Sequence, residues 1–249
     1  PSCIKLLDKA KNKGVVNNYL DCLGMASGEY IMGCAGDDWW HNRNKMQLQV
    51  SFLDSHPKFS LVFGGCIWYN SHSGRTYESF PREGVYHFND LLSENPISAL
   101  TICYRNMAKL KDDLQVLKTE HFLMEDYPLY FILAQKGDFY CMKELFGTYT
   151  LSEGSISNST SLSDKEKFEN DVLRVRRFFL KKNNIMDNGA QMLILDKYHL
   201  SLSTNGIRYN NKKYCLSHLL KIHQKRIVDY AKIILCVLPF GFNVLRSIN

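Results

Sequence analysis

Two adjacent carboxylates, Asp37 and Asp38, follow the apolar run Tyr30-Ile31-Met32-Gly33-Cys34-Ala35-Gly36 and precede two tryptophans, Trp39 and Trp40. Carboxylates at the mouth of a sheet suit a hard divalent cation. Mg²⁺ or Mn²⁺ takes a few oxygen ligands from the protein and leaves its other positions to substrate phosphates. A second acidic pair, Glu125 and Asp126, stands just before Pro128 and an apolar run that reaches Ala134. Two neighbouring acids in a partly dry site raise each other's pKa, which suits a group that accepts a proton. Each pair also has a plainer reading. Acids of this kind are common as solvated groups or at helix starts, where the macrodipole favours them and proline fits the first turn.

The surrounding pattern supplies elements that could hold both pairs. Val16, Tyr19, Leu20 and Leu23 share one face of a helix over residues 15–25. Met46, Val50 and Leu53 do the same over residues 43–55, where His56-Pro57 stops the helix. Residues 1–7, 29–35, 59–68, 97–104 and 139–142 read as strands, that over 29–35 as a buried one. Residues 89–93 and 126–135 read as helices, and residues 70–84 as a polar, turn-rich stretch. Alternating strands and helices predict an α/β domain. A serine-rich joint over residues 152–163, with Gly154 in it, separates this domain from helical patterns over 164–182, 189–202 and 212–238.

Four short segments occur in order at close spacing: Asn12-Lys13-Gly14-Val15-Val16-Asn17-Asn18, then Gly28-Glu29-Tyr30-Ile31, then Gly36-Asp37-Asp38-Trp39-Trp40, then Lys45-Met46-Gln47-Leu48-Gln49-Val50. Downstream, Met124-Glu125-Asp126-Tyr127-Pro128 opens a helix, and residues 149–157 close the segment. Together they resemble the family 2 glycosyltransferases, nucleotide-sugar enzymes of the GT-A fold. The resemblance covers about residues 1–160. It implies a GT-A-type mixed sheet flanked by helices over 1–160 and a helical C-terminal region over 161–249. It also implies an inverting, hexosyltransferase-type enzyme that moves a sugar from a nucleotide-diphosphate donor, expected to be a UDP-sugar, to a glycan or lipid-linked acceptor in surface polysaccharide synthesis.

The resemblance further implies site roles. Asp37 matches the last acid of the family's DxD motif and is expected to bind Mn²⁺ or Mg²⁺ with the donor diphosphate. Asp38, Gly14 and Asn18 are expected around the donor. Asp126 is the expected base, with Glu125 beside it. Arg105 is expected at the acceptor. Trp39 and Trp40 could stack on a sugar face or serve the core. Three departures stand against this pattern. Ala35 occupies the place of the motif's first acid, Thr150 and Ser152 stand where the family often has Arg and His, and the strands that would hold the nucleotide base are expected ahead of Pro1. The alternative is a truncated, non-catalytic remnant that binds glycan, membrane or a partner enzyme.

Composition narrows the remaining choices. At 249 residues, 45% hydrophobic, the chain can bury a substantial core and is not a disordered segment. Its eight cysteines form no CxxC pair, which fits a reducing, cytoplasmic setting. No signal peptide is legible. The net charge of +6 gathers toward the C-terminal third, yet no nucleic-acid-binding signature accompanies it, so no nucleic-acid partner is expected. There, Ile227, Val228, Ala231, Ile234, Leu235 and Leu238 make an apolar face flanked by Lys221, Lys225, Arg226, Lys232 and Arg246. Such a helix either lies in an anionic membrane surface, on the inner face of the membrane, or packs on the catalytic domain.

Overall fold

The computed structural model describes residues 4–7, 11–152, 159, 161–238 and 240–248. The chain divides into two compact units, one made of Pro1–Leu91 and Asn95–Leu151, the other of Leu92–Glu94 and Ser152–Asn249. In chain order the first carries α1 (Val15–Met25), β1 (Tyr30–Ile31), β2 (Trp39–Trp40), α2 (Lys45–Ser55), β3 (Phe59–Asn70), β4 (Thr76–Ser79), β5 (Gly84–Tyr86), all but the last two residues of α3 (Phe88–Ser93), a 3-10 turn (Ala99–Thr101), β6 (Cys103–Arg105), α4 (Leu110–Asp113), α5 (Val116–Thr119), α6 (Asp126–Ala134) and β7 (Asp138–Leu151).

The first unit is α/β and its sheet is mixed. Strand order runs β1-β6-β3-β7-β2, with β4 added on β3 and β5 on β7. Among the described residues only β3 and β7 pair in parallel, from Phe59↔Asp138 to Asn70↔Leu151. The chain needs a crossover to return in parallel, and α6 ends that crossover. β3 is buried continuously from Phe59 to Cys66, as a strand covered on both faces must be. Tyr127 through Leu133 of α6 are buried as well. A helix that leads into a parallel strand runs back along the sheet.

α2 packs by an unexpected face. Its buried residues are Lys45, Gln49 and Leu53, whereas Met46 is exposed. The Lys45 ammonium donates to Gln49 Oε1 at 2.6 Å and to the Ile102 carbonyl at 3.0 Å, and Gln49 donates to the Thr101 carbonyl at 2.7 Å. The ammonium also lies 4.7 Å from the centre of the Trp40 ring. Burial lowers the Lys45 pKa to about 8. These bonds tie α2 to the turn before β6, because a buried charge is tolerated only with its partners in place.

The second unit is helical: α7 (Leu162–Lys182), α8 (Asn188–Arg208), α9 (Lys212–Lys221), α10 (Ile227–Val237) and α11 (Gly241–Ile248). Ser161, Asp187 and Asn211 cap the first three through side-chain oxygens that accept backbone N–H groups. Ile207, Cys215, Leu219, Ile222, Cys236, Phe242 and Leu245 form a core of this unit. At Gly206 a Cβ would come within 2.7 Å of the Cys215 backbone nitrogen, so only glycine lets α8 and α9 approach this closely.

Several elements differ from the sequence expectation. The run over residues 29–35 is not a buried strand. It yields a two-residue, half-buried strand at the sheet edge, paired only with β6, with Gly33 and Gly36 beyond it. Residues 97–104 split into the 3-10 turn and a three-residue strand. The polar stretch after β3 contains β4, which pairs with β3 through Trp68↔Tyr77. β7 runs 14 residues because β3, β2 and β5 all pair along it. The helix expected over 212–238 is broken between Lys221 and Ile227. Residues 4–7 have no regular structure, and Pro1, most of the serine-rich joint and Pro239 lie outside the described residues.

Candidate functional site

Asp37 and Asp38 occupy the bend that leads into β2. Trp39 and Trp40 pair with Thr148 and Gly147 of β7, which in turn pair with Ile67 and Cys66 of β3. Gly147 makes the close fit possible. A Cβ there would meet Leu100 Cδ1 at 2.5 Å and the Trp39 carbonyl at 2.8 Å. The acidic bend thus lies where the parallel pair β3–β7 ends, the edge at which open α/β sheets place ligands. Thr150 fixes it: its backbone N–H donates to Asp38 Oδ1 at 2.9 Å, and its hydroxyl donates to the Asp37 carbonyl. Asp38 is half-buried and Asp37 exposed. Burial pushes the Asp38 carboxyl up, the Thr150 N–H opposes that, and the charge of Asp37 adds to it.

The two tryptophans have different surroundings. Trp40 is half-buried and its indole N–H donates to the Leu100 carbonyl at 2.8 Å. Trp39 is 47% exposed, with Tyr69 edge-on at 6.1 Å. Beside them His41 Nδ1 meets Thr148 Oγ1 at 3.3 Å.

Glu125 and Asp126 open α6. The Tyr127 N–H donates to Asp126 Oδ1 at 2.7 Å. Burial raises both carboxyls above the usual range, and for Glu125 the charge of Asp126 adds to the effect. Behind them stand three tyrosines. The Tyr19 and Tyr104 hydroxyls share a hydrogen bond of 2.7 Å. The Tyr130 hydroxyl is fully buried without a hydrogen-bond partner among the described residues, and the negative charges of Asp126 and Glu125 add to its strongly raised pKa. The Glu125 charge reaches Tyr19 as well, so α1 borders this pocket of acids.

Gly14 and Asn18 meet at the start of α1. Gly14 takes φ +80°, and its N–H donates to Asn12 Oδ1 at 2.9 Å. An open cleft of about 530 Å³ is lined here by Lys11, Asn12, Lys13, Gly14, Val15 and Asn18. A helix N-terminus with two lysines is a surface that favours an anion. Arg105 is directed elsewhere. Its guanidinium donates to the carbonyls of Phe59 and Leu53 and to the Tyr30 hydroxyl, so it braces β6 against the end of α2.

The residues expected from sequence therefore gather as three groups within one unit: Asp37, Asp38, Trp39 and Trp40 on the sheet end, Glu125 and Asp126 at α6, and Gly14 with Asn18 at α1. Thr150, which sequence reasoning placed only as a departure, is the residue that holds the acidic bend. Its partner is 112 residues away, and no local pattern signals such a bond. Among the described residues no group of three or more His, Cys, Asp or Glu side chains could hold a metal. Two carboxylates do suit a cation that arrives already bound to a diphosphate, because Mg²⁺ keeps most of its positions for waters and phosphate oxygens.

No family model matches the chain. Over 170 residues, 68% of this chain, it is 26% identical to the uncharacterized proteins Rv1520 of Mycobacterium tuberculosis and Mb1547 of Mycobacterium bovis. Over 137 residues, 54% of the chain, it is 28% identical to a Bacillus subtilis protein named "Putative glycosyltransferase EpsE". Each match spans 47% of the relative, so the chain covers about half the length of the curated relatives it matches. The likeness to EpsE is distant and partial, and it points toward glycosyltransferases.

Proposed function

We propose that the first unit is the catalytic part of an inverting glycosyltransferase that uses a nucleotide-diphosphate sugar, a UDP-sugar by expectation. The observation that carries this reading is the Thr150 bond to Asp38. It fastens an acidic bend to the end of the parallel strands, where a cation and a diphosphate can share an exposed carboxylate. Asp37 is then the direct metal ligand, and Asp38 is the group that fixes its backbone and adds negative charge. Mn²⁺ or Mg²⁺, when bound with the donor, neutralises the leaving diphosphate as a Lewis acid. The α1 cleft, with Gly14, Asn18 and its lysines, takes the remaining negative charge of the donor.

Asp126 accepts the proton of the acceptor hydroxyl. A carboxyl raised by burial makes a better proton acceptor than a solvated aspartate. A single base and no covalent intermediate give inversion at the anomeric carbon. Trp39, exposed and flat, offers a face on which an acceptor sugar of a glycan or lipid-linked chain can stack.

UDP release from a panel of UDP-sugars, measured with glycan and lipid-linked acceptors, tests the reading. Turnover that needs Mn²⁺ and disappears in Asp37→Asn supports it. Turnover unaffected by EDTA, or a product that retains the donor's anomeric configuration, overturns the mechanism. A protein that neither binds UDP nor releases it from any donor overturns the function.

A further inference from the structure

The last 41 residues differ from the rest in charge. Residues 1–208 hold 24 Lys and Arg against 24 Asp and Glu, whereas residues 209–249 hold seven against one. That single acid, Asp229, is 2% exposed and bonds Arg226 at the start of α10. All of the protein's formal charge of +6 thus comes from this segment.

The same segment turns apolar side chains outward. On α10, Ile227, Tyr230, Ala231, Ile234 and Val237 recur at spacings of three and four, so they share one face. Each is exposed, Ile227 at 90%, Ile234 at 57% and Val237 at 65%, and Leu238 and Phe240 continue the exposed apolar surface. The opposite side holds Asp229 and Cys236, which are buried, Cys236 in the core of the second unit. The stripe is about 16 Å long at 1.5 Å per residue. It contains no charge. Lys221 and Arg226, both exposed, precede it in the chain, and exposed Arg246 follows it.

We propose that the second unit docks on an anionic lipid surface through this face of α10. Folding normally turns a helix's apolar stripe inward, and a patch left outward marks an interaction surface. The occupant is argued from charge: an apolar stripe with cations at its ends and no unpaired acid matches acyl chains beneath anionic headgroups. Among the described residues no helix is long and apolar enough to cross a membrane, which leaves a helix lying in the interface. This inference does not rest on the transferase reading. A transferase whose acceptor is lipid-linked would gain from it, but the docking stands or falls alone.

Vesicle sedimentation at low salt tests it, with the whole chain and vesicles of phosphatidylcholine containing 30% phosphatidylglycerol, against phosphatidylcholine alone. The chain sediments with the anionic vesicles and is released by high salt. The variants Ile234→Asp and Ile227→Ser change exposed residues and keep the wild-type circular dichroism and melting temperature, yet Ile234→Asp lowers partitioning about tenfold or more. Light scattering of the same samples in the absence of lipid separates the other occupant. A concentration-dependent dimer that Ile234→Asp dissolves, with no vesicle binding, overturns the proposal in favour of a second copy of the chain. Failure of the wild-type chain to bind anionic vesicles, or equal binding by Ile234→Asp, also overturns it.

Discussion

The two acidic pairs of the first unit are of one chemical class and are held in place in different ways. Asp37 is exposed and Asp38 half-buried, in a bend held from a distant strand by Thr150. Glu125 and Asp126 belong to a helix start, held locally by the Tyr127 N–H and desolvated against buried tyrosines. Exposure suits a carboxylate that must meet a hydrated cation and a diphosphate. Desolvation suits one that must take up a proton. On the proposed reading, carboxylates are divided between two tasks by what covers them, much as paired carboxylates elsewhere are set apart by their surroundings.

The comparison breaks most sharply at Asp126. Asp126→Asn should reduce sugar transfer by ~10²–10⁴-fold, the usual contribution of a general base, while donor affinity stays within a few-fold. Equal losses in affinity and turnover would make the two pairs one site with one task. A smaller effect is expected at Thr150. Thr150→Val removes the hydroxyl that reaches the Asp37 carbonyl but keeps the backbone N–H to Asp38. One lost hydrogen bond of ~1 kcal/mol predicts about a fivefold weaker donor affinity, with the chemical step unchanged once donor is saturating. Steady-state kinetics with varied donor would separate the two.

Stability gives a third contrast. A carboxyl whose pKa is raised by folding holds its proton more tightly in the folded chain. Between the ordinary and the raised value the folded state binds more protons, so stability falls as pH rises through that window. Asp126→Asn should therefore melt about 2–4 °C higher than wild type at pH 7, the shift that ~1 kcal/mol gives in a chain of this size. The gain should shrink as pH falls through the window and vanish near pH 3, about a unit below the ordinary aspartate value, where both states of the wild-type carboxyl are largely protonated. The smallest expected effect concerns Cys34, an exposed thiol whose sulfur lies 3.5 Å from the Asp38 carbonyl. In a Cys3→Ser, Cys22→Ser background, alkylation of Cys34 should slow when UDP and Mn²⁺ are both present, and not with either alone.

What the sequence revealed follows the range of the forces involved. α1 and α6 were legible to within a residue because a glycine or an acid opens each and an apolar face runs through each. α2 was legible as a helix but not by its buried face. Lys45 and Gln49 are buried because the carbonyls of Thr101 and Ile102, more than fifty residues away, complete their hydrogen bonds. Hydrophobic periodicity carries no trace of such partners. The run over 29–35 has the composition of a central strand, but only its first half finds a partner, so its place at the sheet edge decided its length. The acidic pairs were visible as residue types, and what distinguishes them was not. Thr150 and Tyr19 reach the two pairs from across the fold, and Tyr104 bonds Tyr19.

Calorimetric titration of UDP into the protein with and without Mn²⁺, in wild type, Asp37→Asn and Asp126→Asn, tests the division of tasks most directly. Wild type and Asp126→Asn should bind UDP with the same requirement for Mn²⁺, and Asp37→Asn should lose that requirement together with at least tenfold in affinity. UDP binding that is indifferent to Mn²⁺ in the wild type, or an Asp126→Asn variant as impaired in binding as Asp37→Asn, would contradict it.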